Sequence, residues 1–142
     1  MKTWVHFVVC LILAGILFPI YGWKVLFILV GGVLIDVDHY LWYAYKYRKF
    51  NLADSYNFFL KNMETKDFTS VIGILIIFHT LEFLLMMVLL SFYYELAFIF
   101  TIGLLSHYLL DSLFLYFVAK RVIADYSIIH WLYKNKLEIQ KV

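Results

Sequence analysis

Apolar residues gather in four long stretches of this chain, Trp4–Tyr21, Val25–Tyr45, Phe68–Leu90 and Phe92–Ala119. Each is close to the roughly 20 residues that an α-helix needs to cross a bilayer. The connections around Gly22-Trp23-Lys24 and around residues 91–95 are only a few residues long, so the pattern predicts two antiparallel helical hairpins. Between the hairpins lies a longer polar segment, Lys46–Asp67, where Asn51 stands as a cap ahead of Leu52–Leu60 and predicts a short interfacial helix. The tail Lys120–Val142 places Val122, Tyr126, Ile129 and Tyr133 at helical spacing, which suits an amphipathic helix lying on a membrane surface. The expected fold is therefore all-α. It is a single integral membrane domain, built as a four-helix transmembrane bundle with a surface tail.

Composition supports the same class. Of the 142 residues, 65% are hydrophobic and 15% charged, where a soluble domain carries roughly 45–50% and about 25%. That difference excludes a water-soluble globule and a disordered chain. The single cysteine, Cys10, forms no internal disulfide, and a net charge of +2 is too small to point to nucleic acid. The placement of charge says more than its sum. Lys2, the middle segment (Lys46, Arg48, Lys49, Lys61, Lys66) and the tail (Lys120, Arg121, Lys134, Lys136, Lys141) fall on one side, and only Lys24 falls opposite. The positive-inside rule then predicts a multi-pass protein of the plasma (inner) membrane with both termini cytoplasmic. Trp4, Trp42 and Tyr116 would form the inner aromatic belt, with Trp23, Tyr93 and Tyr94 in the outer one. The first stretch is expected to be a retained helix, because it is long and has no small-x-small cleavage pattern near its end.

Ionisable residues interrupt these apolar stretches, and in three of the four they cluster. His6 lies in the first, Asp36, Asp38 and His39 in the second, His79 and Glu82 in the third, His107 and Asp111 in the fourth. Such a side chain costs several kcal/mol within a membrane, so it normally faces the bundle interior and serves a function. A lone histidine would read as interhelical glue. Here Asp36/His39 and His79/Glu82 are spaced i,i+3 and His107/Asp111 i,i+4, so each pair shares one helix face. Facing helices that each carry such a pair resemble the ligand sets of carboxylate-bridged metal bundles. Imidazole with carboxylate oxygen suits Zn, and after it Mn or Fe, as one or two ions.

Asp36, His39, His79, His107 and Asp111 are the expected metal ligands, joined by His6. Asp38 and Glu82 are candidates for a general base or for a partner that orients a histidine. Counted along the helices from the cytoplasmic ends, most of the set falls in one layer, with His6 shallower and Glu82 deeper. His130 and Glu95 read as surface residues.

These residues resemble the pattern of the YdjM-like family, membrane-bound proteins classed as metal-dependent hydrolases. His6 looks like that family's early histidine. Leu34-Ile35-Asp36-Val37-Asp38-His39 matches its Leu-Pro-Asp-x-Asp-His, with Ile35 in the place of proline. Gly103-Leu104-Leu105-Ser106-His107-Tyr108-Leu109-Leu110-Asp111 fits its Gly-x-x-x-His-x-x-x-Asp. The intervening motif, His-Arg-Gly-x-Thr-His-Ser, survives only as His79-Thr80, since Ile74 and Leu75 stand where the family has His and Arg. Glu82, one turn along, is a candidate replacement for the lost ligand. The missing Arg removes a bidentate anchor for phosphate or carboxylate.

The resemblance implies a metal-dependent hydrolase. A site below the cytoplasmic interface would act on a lipid or amphiphilic ester, with a phosphoester included and Lys46, Arg48 and Lys49 available to attract an anionic head group. Two other functions stay open: transport of a divalent metal or of protons, and a structural membrane protein with a polar core. The expected partners are the bilayer and a lipid-like substrate, with no nucleic acid and with oligomerisation left open.

Overall fold

The computed structural model describes residues 2–65, 67, 69–71, 74–119 and 127–139. The protein is helical, with no β-strand element among these residues. Helix α1, Thr3–Tyr21, ends at Gly22, whose φ of 56° lies in the left-handed region that glycine adopts freely and whose N–H bonds the Phe18 carbonyl. A 3₁₀ turn, Gly22–Val25, leads back into α2, Leu26–Gly32, which runs antiparallel to α1. Two contacts fix that pairing. Cys10 lies against Gly32, and the Thr3 hydroxyl donates to Asp36 Oδ2 at 3.3 Å.

The second apolar stretch is not one helix. After Gly31 and Gly32, both weak helix formers, the backbone leaves helical geometry at Val33 (φ −129°, ψ −50°). It resumes through a 3₁₀ turn, Leu34–Asp36, into α3, Val37–Tyr47. The helix expected over Leu52–Leu60 is α4, Leu52–Thr65, and is longer than expected. Asn51 caps it, its Oδ1 accepting from Ala53 N at 2.9 Å and Asp54 N at 3.4 Å. Phe58, Phe59 and Met63 of α4 pack with Trp42 over buried Val71, Ile74 and Ile76.

The third stretch departs most from expectation. A helix over Phe68–Leu90 is predicted, but α5 covers only Leu81–Ser91. Residues 74–76 are non-helical and lead into a 3₁₀ turn, Ile77–His79. The β-branched run Ile74, Ile76, Ile77 disfavours helix, and two side chains take over backbone donors. Asp38 Oδ2 accepts from Phe78 N at 2.9 Å, and the Thr80 hydroxyl accepts from Phe83 N at 3.3 Å as the cap of α5. Ile74, Ile76 and His79 of this non-helical segment line a cavity.

Helix α6, Glu95–Phe114, continues as a π-helical turn, Leu115–Ala119, and packs against α1, α2 and α5. Its crossing with α2 is tight. A Cβ on Gly103 would sit 2.1 Å from the Ile28 carbonyl oxygen, and one on Gly31 would sit 2.2 Å from that of Phe100. Cys10, Ala14, Val25, Ile28 and Ile99 fill the core towards the Gly22 end, where Lys24 pairs with Glu95. In the tail, α7 covers Ile128–Ile139 and Ser127 caps it, accepting from His130 N at 3.2 Å. Val122 and Tyr126 lie outside the described residues.

Two helical stretches are long and apolar enough to cross a membrane, Thr3–Tyr47, which folds back at Gly22, and Glu95–Phe117. Helix α5, at eleven residues, spans roughly 16 Å, about half a ~30 Å hydrocarbon core. The third of the four expected spans is therefore not a full-length helix. Large apolar side chains lie on the surface, and imidazoles are buried among the apolar residues of the interior. Trp4, Ile16 and Ile20 are 60–71% exposed, while His6 and His107 are at most 1% exposed.

Candidate metal centre

Four elements deliver side chains to one point: α1 brings His6, the turn before α3 brings Asp36, the turn before α5 brings His79, and α6 brings His107 and Asp111. Asp38 and His39 follow from the first turn of α3. The close α2–α6 crossing is what allows this. With Gly103 against Ile28, the His107 ring one turn further along α6 reaches the Gly32 carbonyl, to which its Nδ1 bonds at 2.9 Å.

The orientation of two rings defines the centre. His107 Nδ1–H is spent on the Gly32 carbonyl, and His79 Nδ1–H is spent on Asp38 Oδ2 at 3.1 Å. Each ring therefore turns its Nε2 inward, and the two Nε2 atoms stand 3.0 Å apart. Asp36 Oδ1 lies 3.5 Å from both of them, and Asp111 Oδ2 lies 3.2 Å from His107 Nε2 and 4.0 Å from His79 Nε2. His6 stacks on His107 with ring centroids 3.9 Å apart, and its Nε2 faces Asp111 Oδ1 at 3.3 Å. His6 Nδ1 is buried without a hydrogen-bond partner.

These separations suit a divalent ion. Ligand atoms at 2.0–2.1 Å from tetrahedral zinc lie roughly 3.3–3.4 Å from one another, within the range of the edges measured here. The arrangement outside the donors fits as well, since a metal-ligating histidine normally gives its other ring N–H to a carboxylate or a carbonyl. Three overlapping triads, His6/His107/Asp111, Asp36/His79/His107 and Asp38/His39/His79, each bring their ligand atoms within 4.8 Å of one another.

The residues expected for the site divide in two. His6, Asp36, His79, His107 and Asp111 meet directly, and Asp38 and His39 adjoin them. Asp38 is a positioning group: its Oδ1 bonds His39 Nδ1 at 2.9 Å, and its Oδ2 holds His79 Nδ1 and Phe78 N. Glu82 stands apart from the cluster. Its carboxylate accepts from the Ser127 hydroxyl at 2.6 Å, from Ile128 N at 3.1 Å and from Ile129 N at 3.3 Å, and so binds the start of α7.

Three contributors escaped the sequence pattern. The Tyr108 hydroxyl donates to the carbonyls of Phe78 at 3.1 Å and Thr80 at 2.8 Å, clasping the segment that carries His79. Gly32 supplies only a carbonyl, and Thr3 supplies a donor to Asp36. Tyr108 alone left a signal, as a hydroxyl next to His107 in an apolar helix.

Asp36, His39, His79 and Asp111 form the polar end of a cavity of about 870 Å³ between α3, α4 and the end of α6. Its walls are mainly apolar, including Leu34, Tyr56, Phe59, Met63, Ile76 and Phe114. No protein-family model, curated protein or solved structure matches the chain.

Proposed function

We propose that this chain is an integral membrane protein, with both termini cytoplasmic, that binds a divalent cation, zinc in the first instance, and hydrolyses a lipid or amphiphilic ester. The reading keeps the likeness to YdjM-like hydrolases as a proposal resting on the Asp36-x-Asp38-His39 and Gly103–Asp111 motifs. One observation carries it: two imidazoles whose Nδ1 atoms are engaged turn their Nε2 atoms to each other across 3.0 Å, beside two carboxylates. In the neutral Nδ1–H tautomers two lone pairs would face each other and repel, and a cation between them removes that conflict.

His79, His107, Asp36 and Asp111 would hold the ion, with His6 alongside. When bound, a divalent cation there supplies a Lewis acid that acidifies water and polarises a carbonyl or phosphoryl oxygen. The protein's own residues do the rest. The mainly apolar cavity walls would hold an apolar chain beside the polar end. His39 lines that cavity, and its Nδ1–H held by Asp38 leaves Nε2 as the ring's proton-accepting atom. In hydrolysis water adds to the acyl or phosphoryl centre, the bond to the leaving alcohol breaks, and His39 Nε2 carries the water's proton to the departing oxygen.

Elemental analysis of the detergent-purified protein beside His107→Ala, after chelation and reloading, tests the metal centre. Stoichiometric metal in the wild type that the substitution abolishes is the expected result. A folded wild type that takes up no metal overturns it. The 3.0 Å Nε2–Nε2 contact would then be a shared proton between two imidazoles in a polar-core scaffold.

A further inference from the structure

We infer that the cavity over this centre takes a long-chain lipid with an uncharged head, a carboxylic ester or amide, in preference to a phosphate. The inference rests on the metal-centre reading and narrows its substrate. Three observations support it.

The first is charge. The carboxylates of Asp36 and Asp111 line the polar end, and that of Asp38 stands just behind it, bonded to His79 and His39. A phosphate head would bring further negative charge into an apolar enclosure, where like-charge repulsion is least screened. An ester or amide carbonyl brings none.

The second is where the cations are. No Lys or Arg is among the described residues lining the cavity. Lys46 in the last turn of α3, and Arg48 and Lys49 just after it, are engaged or exposed elsewhere. Lys46 Nζ donates to the Ser70 carbonyl at 3.1 Å and sits 4.6 Å above the Trp42 ring. Arg48 rests over Tyr45, and Lys49 is exposed. Lys2 faces Glu64 at 3.8 Å. The group expected to attract an anionic head does not reach the centre.

The third is shape. A cavity of about 870 Å³, at about 30 Å³ for a methylene-sized unit, holds on the order of 25–30 non-hydrogen atoms. A sixteen-carbon chain with a small head is of that size. Mainly apolar walls with the candidate metal centre at one end would lay the chain along α4 and bring its carbonyl to the centre.

The test uses the full chain in detergent, loaded with zinc, and two amphiphiles with the same hexadecyl-length tail, monohexadecanoyl glycerol and hexadecyl phosphate. Binding is read by displacement of a fluorescent acyl probe. Ala53→Trp fills the cavity from α4, and Ser112→Phe narrows it from α6 should the first variant not fold. The glycerol ester should bind at least roughly tenfold more tightly than the phosphate, and the filled variant should lose that binding. Equal or tighter binding of the phosphate overturns the inference, as does ester binding that neither variant weakens. Turnover separates the two readings. An ester that binds in the cavity and is never cleaved refutes the hydrolase alone, and a phosphate cleaved in preference refutes the inference alone.

Discussion

His79 and His107 face each other Nε2 to Nε2 at 3.0 Å, and each is anchored from behind, His79 by the Asp38 carboxylate and His107 by the Gly32 carbonyl. The two anchors differ in kind. One is a side chain that can be changed, and the other is backbone held in place by a helix crossing. The consequences of disturbing them should therefore differ.

Asp38→Asn keeps the shape of the side chain and weakens its grip on His79 Nδ1, Phe78 N and His39 Nδ1. Removing such an outer partner typically costs 10–100-fold in metal affinity. We expect a loss of about that size in competition with a chelator, with helical content unchanged. An affinity equal to the wild type would show that Asp38 does not position His79.

Gly103→Ala and Gly15→Ala are a matched pair within helices. The new methyl of the first meets the Ile28 carbonyl oxygen at 2.1 Å, backbone that cannot swing aside, while that of the second meets nothing within 4 Å. Gly103→Ala should lose about 1–3 kcal/mol by overpacking and loosen metal binding by moving His107 from Gly32. Gly15→Ala should be neutral or gain about 0.5–1 kcal/mol from helix propensity. Thermal unfolding in one detergent compares them, and equal melting temperatures would contradict the tight crossing.

Tyr108→Phe removes one hydroxyl that donates to two carbonyls, those of Phe78 and Thr80. Each lost bond is worth about 0.5–1.5 kcal/mol. The segment carrying His79 should exchange its amide hydrogens faster, with a smaller loss of metal affinity than for Asp38→Asn. Unchanged exchange over residues 76–80 would remove Tyr108 from the account.

Glu82→Gln separates the α7 anchor from the centre. The carboxylate accepts from Ser127, Ile128 and Ile129 and touches none of the candidate ligands. Loss of its charge at the start of a helix should weaken α7 docking and raise proteolysis within residues 127–139. Metal stoichiometry should not change. A drop in bound metal would return Glu82 to the ligand set.

Much of this arrangement is written in spacing. His107 and Asp111 four apart on one helix, Asp36 and His39 three apart across the start of α3, and Gly22 between two apolar runs are relations between chain neighbours, which local geometry places. The all-helical character and the cap at Asn51 follow from the same local rules. The third stretch does not. Its hydropathy reads as a span, but Asp38, distant in sequence, takes the Phe78 N–H and holds the chain out of a helix until Thr80 caps α5.

Glu82 shows the same limit, since its i,i+3 relation to His79 presumes a helix that has not begun at residue 79. Which nitrogen of each histidine faces inward, and whether Asp38 binds or positions, depends on partners brought up by the α2–α6 crossing. Periodicity records the face a residue occupies. The partner on that face is set by how closely two backbones approach, and here three glycines decide it.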